Sequence, residues 1–344
     1  MDTHPGLLSR PPEEGARLLA LGFLDQAVEA HPRLADPSDK EALHDFRVAL
    51  RRLRSSLRAY REYLEDSVPK KLSRRLRDLA GATGPGRDTE VQVEWLRERS
   101  RHLSSHHRAG LNWVLVRLET RMREAYADVL ELIPEEFPAI EEGLRRRLSI
   151  YRTEVHLDAS AKRPTLATAS AGILRQQAAE LHEHLSKVHS VEDEEEAHEA
   201  RISAKRLRYI LEPFAGELPA EGGGKSVIKR LKALQEVLGQ LHDAHVLGTE
   251  LRRHLEAAAA ERAGRLFDLS LAAVPDEAAL RLERRRTQEP GLIALARLNR
   301  VRRDRLFEEF RAEWLVDLGE GFFQDLERVA AGLAGEQGKD FKDN

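Results

Sequence analysis

The amino-acid sequence predicts an all-α protein built from two diverged copies of one basic helical unit. Three observations predict this: a composition dominated by Arg, Leu, Glu and Ala, apolar residues that recur every three or four positions, and a basic motif that occurs twice. Only 5% of the residues are aromatic and 33% are charged. The 344 residues leave room for roughly two domains of ordinary size.

Composition also excludes several kinds of protein. The chain contains no cysteine, which excludes disulfides and thiolate metal sites. The first ten residues lack the apolar core of a signal peptide, and no apolar run reaches membrane-spanning length. We therefore expect a soluble cytoplasmic protein without a membrane partner, and the sequence leaves open whether it assembles with copies of itself.

The net charge of −3 hides two basic islands. Residues 44–77 contain 11 Lys and Arg against 4 acids, and residues 198–232 contain 8 against 4. Local fields of this kind concentrate anions.

The islands coincide with an internal repeat. The segment from His44 to Arg54 aligns with the segment from His198 to Arg208, with His, Arg, Lys/Arg, Arg, Leu and Arg in the same order. A second match aligns Lys70, Arg74, Arg75, Leu76, Arg77, Leu79, Gly84 and Asp88 with Lys225, Lys229, Arg230, Leu231, Lys232, Leu234, Gly239 and Asp243. We expect one unit at 10–158 and a second at 165–335, with a linker between them.

The first basic helix is expected to start near Ser38, because Ser38 and Glu41 have the spacing of a capping box. Its apolar positions are Leu43, Phe46, Leu50, Leu53, Leu57, Tyr60 and Leu64. A neighbouring arc carries only His44, Arg47, Arg51, Arg54 and Arg58. Like charges four residues apart destabilise a helix. A bound polyanion would offset that repulsion.

The second copy repeats this pattern behind a predicted cap at Ser190. His198, Arg201, Lys205 and Arg208 share one face, beside an apolar face of Ala200, Ala204, Leu207, Leu211 and Phe214. Glu212 stands where the first copy has Arg58, which weakens the stripe at that end. In the following helices Lys70, Arg74 and Arg77, and likewise Lys225, Lys229 and Lys232, have a spacing that places them on one side. Antiparallel packing would let these stripes flank one groove.

The paired signatures resemble those of the CHAD domain, the conserved histidine α-helical domain. The matching residues are His44, Arg47, Arg51, Arg52 and Arg54, then His198, Arg201, Lys205, Arg206, Arg208 and Tyr209, with Arg87-Asp88 and Leu238-Gly239-x-x-x-Asp243. The resemblance covers about residues 10–335. It implies two four-helix bundles related by pseudo-twofold symmetry, and a basic central groove or pore that binds inorganic polyphosphate. It also implies an association with polyphosphate granules.

Together, the stripes and the resemblance predict a polyphosphate-binding site without a metal or other cofactor. The expected binding residues are His44, Arg47, Arg51, Arg52, Arg54, Arg58, Lys70, Arg74, Arg77, His198, Arg201, Lys205, Arg206, Arg208, Lys225, Lys229 and Lys232. Arg52, Arg206, Arg75 and Arg230 lie off the main stripes and can equally serve in surface salt bridges. We expect Tyr209 to pack, Asp88 and Asp243 to orient basic residues or cap helices, and binding to tighten below about pH 6.5 as His44 and His198 become charged.

Two other functions remain open from the sequence. The His44-Asp45 and His242-Asp243 dipeptides, with His242-x-x-His245, are also found in metal-dependent phosphohydrolases acting on polyphosphate or nucleotides. The basic islands also suit a nucleic-acid binder, but they lack interleaved aromatic residues for base stacking. No nucleophile triad, phosphate loop or dinucleotide fingerprint occurs. We therefore expect a non-catalytic protein, with polyphosphate preferred over nucleic acid.

Overall fold

The computed structural model describes residues 6–150, 163–218, 223–271, 277–285, 288–316 and 319–336, and throughout these ranges the fold is helical without a strand. The α-helices are α1 (Pro12–Ala30), α2 (Ala42–Ala59), α3 (Arg61–Leu64), α4 (Lys70–Ala82), α5 (Gly84–Arg99), α6 (Ser105–Leu148), α7 (Leu166–Ser186), α8 (Glu194–Leu211), α9 (Gly224–Ser270), α10 (Glu277–Arg285), α11 (Glu289–Phe310) and α12 (Glu320–Ala334). The all-α prediction is confirmed. No helix in the described part of the chain is both long and apolar enough to span a bilayer.

Both predicted caps were wrong by a few residues. Helix α2 begins at Ala42, and Asp39, not Ser38, accepts the backbone N–H groups of Glu41 and Ala42, both at 3.1 Å. Helix α8 begins at Glu194, where the Asp193 carboxylate accepts the N–H of Ser190 at 2.8 Å. The aspartates prevail because they satisfy unpaired amides from a turn that precedes each helix.

The first half of the chain packs α1, α2, α4 and the C-terminal part of α6 around one core. Phe46, Leu50 and Leu53 from α2 are completely buried there, as the spacing of apolar residues predicts. Burial of each such side chain contributes on the order of 2 kcal/mol. This burial leaves the adjacent basic arc of α2 at the edge of the core.

The second half packs α7, α8, the N-terminal part of α9 and α12 in the same manner. Ala204, Leu207 and Leu211 from α8 are completely buried, which confirms the predicted apolar face of this helix. The small Ala200 and Ala204 side chains let α8 approach its neighbours closely, and Gln235 of α9 donates to the Ala204 carbonyl at 2.9 Å. The basic face of α8 therefore lies next to the apolar core of the second half.

A third apolar cluster, which the sequence does not reveal, joins the halves. It contains residues of α5, the N-terminal part of α6, the C-terminal part of α9 and α11. Helices α6 and α11 touch at Gly110 and Gly291, where a Cβ on Gly110 would lie 2.3 Å from the Gln288 carbonyl oxygen. Glycine is required there because any larger residue would collide with backbone.

The two halves also meet along α2. Tyr60, fully buried at the end of this helix, shares a 2.7 Å hydrogen bond with Ser170 of α7. Phe214, which follows α8, packs in the core of the first half. Helix α2 contacts α8 directly, so the two basic helices are neighbours. Part of the predicted linker, residues 158–162, lies outside the described residues; the internal duplication and the central groove stay predictions.

Candidate anion-binding site

Basic side chains from both halves converge where α2 contacts α8. Lys205 is at the centre, and burial together with repulsion from four arginines lowers its pKa to about 8. The four are Arg51 and Arg54 of α2 and Arg201 and Arg208 of α8. Burial is the larger cause of this low pKa, and the repulsion adds to it because the four guanidinium groups lie near the ammonium group.

Six basic residues of α2 and α8 form what we call the central basic cluster. Its members are Arg47, Arg51, Arg54, Arg58, Arg201 and Lys205. None of them forms an ion pair within 4.0 Å of an acid in the described ranges, whereas ion pairs such as Arg75–Glu136 and Arg175–Glu327 are common elsewhere in the molecule. The cluster therefore keeps its donors available for an external anion.

Arg47 marks the boundary between the cluster and α5. It is half-buried, and its pKa is lowered mainly by that burial, although Tyr126 and Asp88 lie close enough to oppose the shift. The Tyr126 hydroxyl donates to Glu90 at 2.8 Å. Its ring covers Gly86 so closely that a Cβ there would lie 2.7 Å from the ring carbons. A glycine at this position thus lets the tyrosine lie flat beside Arg47.

Tyr209 lies beneath the cluster. Only 7% of the residue is exposed, and the guanidinium carbons of Arg208 and Arg51 lie 4.9 and 5.6 Å from its ring centroid. The predicted packing role is consistent with this burial. Because an aromatic face attracts cations, the ring also holds two like-charged arginines near each other.

One end of the α2–α8 contact contains an acid. The Glu212 carboxylate lies 3.2 Å from Arg208, 3.6 Å from Lys232 and 3.8 Å from Arg52. These three members of the predicted site are therefore already neutralised in part. The alignment of the two copies shows that Glu212 replaces a basic residue, but it does not reveal how many cations contact its carboxylate.

The opposite end contains cations that repel each other. Burial and then the charge of Arg58 lower the pKa of Arg206, which also donates to Glu180 at 3.2 Å. Burial, followed by the charges of Arg77 and Arg58, lowers the pKa of Arg54. Arg77 in turn pairs with Asp78, its neighbour in sequence, at 3.1 Å.

The two histidines of the repeated motif lie in different environments. His44 is exposed, and the adjacent Asp45 pairs with Arg33 at 2.7 Å. His198 is half-buried with its ring centroid 4.8 Å from that of His242, and burial and Arg201 lower its pKa. Without a bound anion, His198 is therefore expected to become charged at a lower pH than an ordinary histidine. Burial lowers the pKa of His242 to about 4.

The outer cations of the prediction lie on α4 and α9, the helices that follow the two basic helices. These residues are Lys70, Arg74, Lys225 and Lys229. All four are exposed, and no ion pair connects them to an acid in the ranges that the structure covers. Arg75 and Arg230, which lie off the stripes, form surface ion pairs with Glu136 at 2.8 Å and with Asp325 at 3.3 Å.

Asp88 and Asp243 act at longer range than predicted. Neither forms an ion pair within 4.0 Å of a described cation, yet both influence Arg201, which burial shifts to a lower pKa. Asp243 also faces Arg302 of α11, a residue that the sequence analysis did not select. Arg302 lies in an arginine-rich stretch of residues 297–305, and only the packing of α11 on α9 shows that it approaches the site.

The metal-site alternative receives no geometric support. Among the described residues, no group of three or more His, Asp or Glu side chains is arranged to hold a metal ion. His245 lies 3.5 Å and His242 3.9 Å from Glu194, whereas burial and then the positive charge of Arg201 lower the pKa of His242.

Comparisons with known proteins agree with this architecture. The family model described as CHAD domain matches residues 19–252, more than half of the chain. A crystal structure of the CHAD domain from the plant Ricinus communis superposes with a TM-score of 0.58 at 21% identity, covering 80% of this chain and 92% of that one. PptA from Streptomyces chartreusis gives 0.52 at 15% identity, covering 87% and 99%. A search among curated proteins gave no match. At these identities the structural likeness concerns the fold alone.

Proposed function

The chain belongs to the CHAD domain family, and from this premise we propose that it binds inorganic polyphosphate at the central basic cluster without catalysing a reaction. One observation carries the proposal: six cations from both halves lie together without an ion pair to a described acid. A row of cations suits a flexible polyanion with about one charge per phosphate, because arginine offers paired donors and lysine a movable point charge. An association with polyphosphate granules is part of this proposal.

The alternatives fit the geometry less well. A metal-dependent phosphohydrolase needs several ligands around one ion, whereas His242 and His245 share one carboxylate, that of Glu194, and Arg201 adds a positive charge near His242. Single-stranded nucleic-acid binders use exposed aromatic residues, and sequence-specific duplex binders use a helix suited to a groove. Tyr209, the aromatic residue of the cluster, is almost entirely buried. Polyphosphate requires neither feature.

Isothermal titration with polyphosphates of several lengths and at two salt concentrations tests the proposal. Six phosphate contacts give a slope of about −4 in log affinity against log salt, and therefore a roughly 300-fold loss for a fourfold rise in salt. We expect this loss, together with affinity that rises with chain length. Binding that ignores both salt and length would refute the proposal.

Variants locate the binding site. Reversal of the charge at Arg51, Arg201 and Lys205 together should abolish measurable binding. A matched triple variant reverses Arg61, Arg305 and Arg328, which are exposed and lie outside the cluster. It should bind nearly as well as the wild type. Equal losses in both triples would indicate a general charge effect, and competition with DNA of matched charge would then distinguish a nucleic-acid binder.

A further inference from the structure

Glu212 is an acid placed among cations that are otherwise suited to an anion. Its side chain is only 14% exposed, and its carboxylate contacts Arg52 of α2, Arg208 of α8 and Lys232 of α9. Three cations from three helices thus converge on one anionic group. Two guanidinium groups and an ammonium group around one anion are also a suitable surrounding for a phosphate.

The local backbone holds Glu212 in place. The residue begins the turn Glu212–Phe214, in which Pro213 and Phe214 are both buried. Phe214 is anchored in the core of the first half, so the turn cannot move without disturbing that core. The carboxylate is therefore a built-in feature of the site, unlike the carboxylate of a mobile surface side chain.

The aligned positions at the opposite end have the reverse arrangement. The motif alignment places Arg206, Arg54 and Arg77 at the positions of Arg52, Arg208 and Lys232, and places Arg58 at the position of Glu212. Arg206 and Arg54 both have pKa values lowered by burial and by the charge of Arg58. No acid within the described ranges forms an ion pair with Arg54 or Arg58. The cations of one end thus contact a shared anion, whereas at the other end Arg206 and Arg54 lie near a further cation. The acids at that end, Glu180 and Asp78, pair with Arg206 and Arg77 and not with Arg54 or Arg58.

We infer that Glu212 acts as an internal counter-anion that closes one end of the basic surface, and that the Arg54–Arg58 end binds the terminal phosphate of the polyphosphate chain. The inference rests on the proposed function and adds to it the place where one end of the chain binds. A terminal phosphate carries up to about one more negative charge than an internal one near neutral pH. It is therefore favoured where cations outnumber acids and disfavoured beside a fixed carboxylate.

The first experiment measures affinity against chain length for the wild type, Glu212→Gln and Glu136→Gln. Glu136→Gln is the matched control, because it removes the Glu136–Arg75 ion pair away from the α2–α8 contact. Glu212→Gln should bind long chains at least fivefold more tightly than the wild type, and its affinity should stop rising only at a greater chain length. Its slope of log affinity against log salt should be more negative by about 0.7 per added phosphate contact. The control should match the wild type.

The second experiment compares polyphosphate with free ends and polyphosphate whose terminal phosphates are esterified. The wild type and Glu212→Gln should both prefer free ends, whereas Arg58→Gln should lose that preference. Arg58 is exposed, so this substitution does not threaten the fold, and thermal unfolding of Glu212→Gln checks that variant.

Two outcomes would overturn the inference while leaving polyphosphate binding intact. One is a Glu212→Gln protein that folds and binds every length with wild-type affinity. The other is an Arg58→Gln protein that retains the full preference for free ends. If the wild type binds no polyphosphate of any length, the proposed function fails, and the inference fails with it.

Discussion

Helices α2 and α8 carry the same basic motif in two different environments. On α2, Arg51, Arg58 and His44 are exposed. Arg47 and Arg54 of the same helix are half-buried. On α8, Arg201, Lys205 and His198 are half-buried, and burial is the leading cause of the lowered pKa of each. The sequence motif determines where cations lie along a helix. The neighbouring helices determine how much water each cation loses, and therefore its pKa and the strength of its attraction to an anion.

This comparison predicts that the half-buried cations dominate binding. Replacement of both Arg201 and Lys205 by alanine should weaken polyphosphate binding about 100-fold, since two charge-assisted hydrogen bonds contribute roughly 3 kcal/mol. Replacement of the exposed pair Lys70 and Arg74 should cost about fivefold or less. Titration calorimetry of both double variants checks this, and a larger loss in the second variant would break the comparison.

A second prediction concerns two glycines in different surroundings, Gly86 near the start of α5 and Gly239 within α9. Gly86→Ala should destabilise the protein by about 1–3 kcal/mol, because the new Cβ would lie against Tyr126. Gly239→Ala should stabilise it by about 0.5–1 kcal/mol, because open space surrounds that position within helix α9. Denaturant unfolding of both variants measures the two signs, and equal effects would contradict the difference in packing around the two glycines.

Lys205 predicts how binding depends on pH. Without a ligand its pKa is about 8, and a bound polyanion raises it toward the ordinary value of 10.5. Binding therefore takes up a proton above pH 8, and the affinity should fall by up to about tenfold per pH unit between pH 8 and 10. Below pH 7 Lys205 is charged with or without the ligand, so it no longer makes the affinity depend on pH. Titration in buffers of different ionisation enthalpy reports the proton uptake.

The matched variant for this test is Lys205→Arg, which stays charged throughout the window. It should remove most of the pH dependence between pH 8 and 10. A wild-type slope that persists in the variant would show that another group titrates.

The smallest expected effect concerns stability without a ligand. At pH 7 the charged Lys205 destabilises the folded state, because the pKa of this side chain is lower in the folded protein than in the unfolded chain. The destabilisation is fully present below pH 8 and disappears as the pH rises toward 10.5. Lys205→Met should therefore raise the melting temperature by roughly 2–4 °C, about 1 kcal/mol, while it weakens binding. The aligned Arg51→Met should change it by less than about 1 °C, since Arg51 is exposed. Differential scanning calorimetry compares the two.

Much of the fold could be predicted from local pattern. The spacing of Phe46, Leu50 and Leu53 requires a buried face, and the adjacent Arg47 and Arg51 then have to lie at its edge. Helix starts were predicted less well, because Asp39 and Ser38 both offer a side-chain oxygen and only the turn geometry selects between them.

Features that depend on contacts between distant segments could not be predicted. The close approach of Gly110 and Gly291 depends on how α6 crosses α11, and the three cations around Glu212 come from three helices. The half-buried state of His198 likewise depends on His242 of α9, whereas the aligned His44 remains exposed. Periodicity within one segment contains no information about such pairings.

The stoichiometry of binding tests most directly whether both halves form one site. Titration with a short polyphosphate should give one chain per protein, and Arg51→Glu on α2 and Arg201→Glu on α8 should each weaken that same event. Two chains per protein, with each variant removing only one of them, would show that the two halves bind separately and would contradict a shared basic cluster.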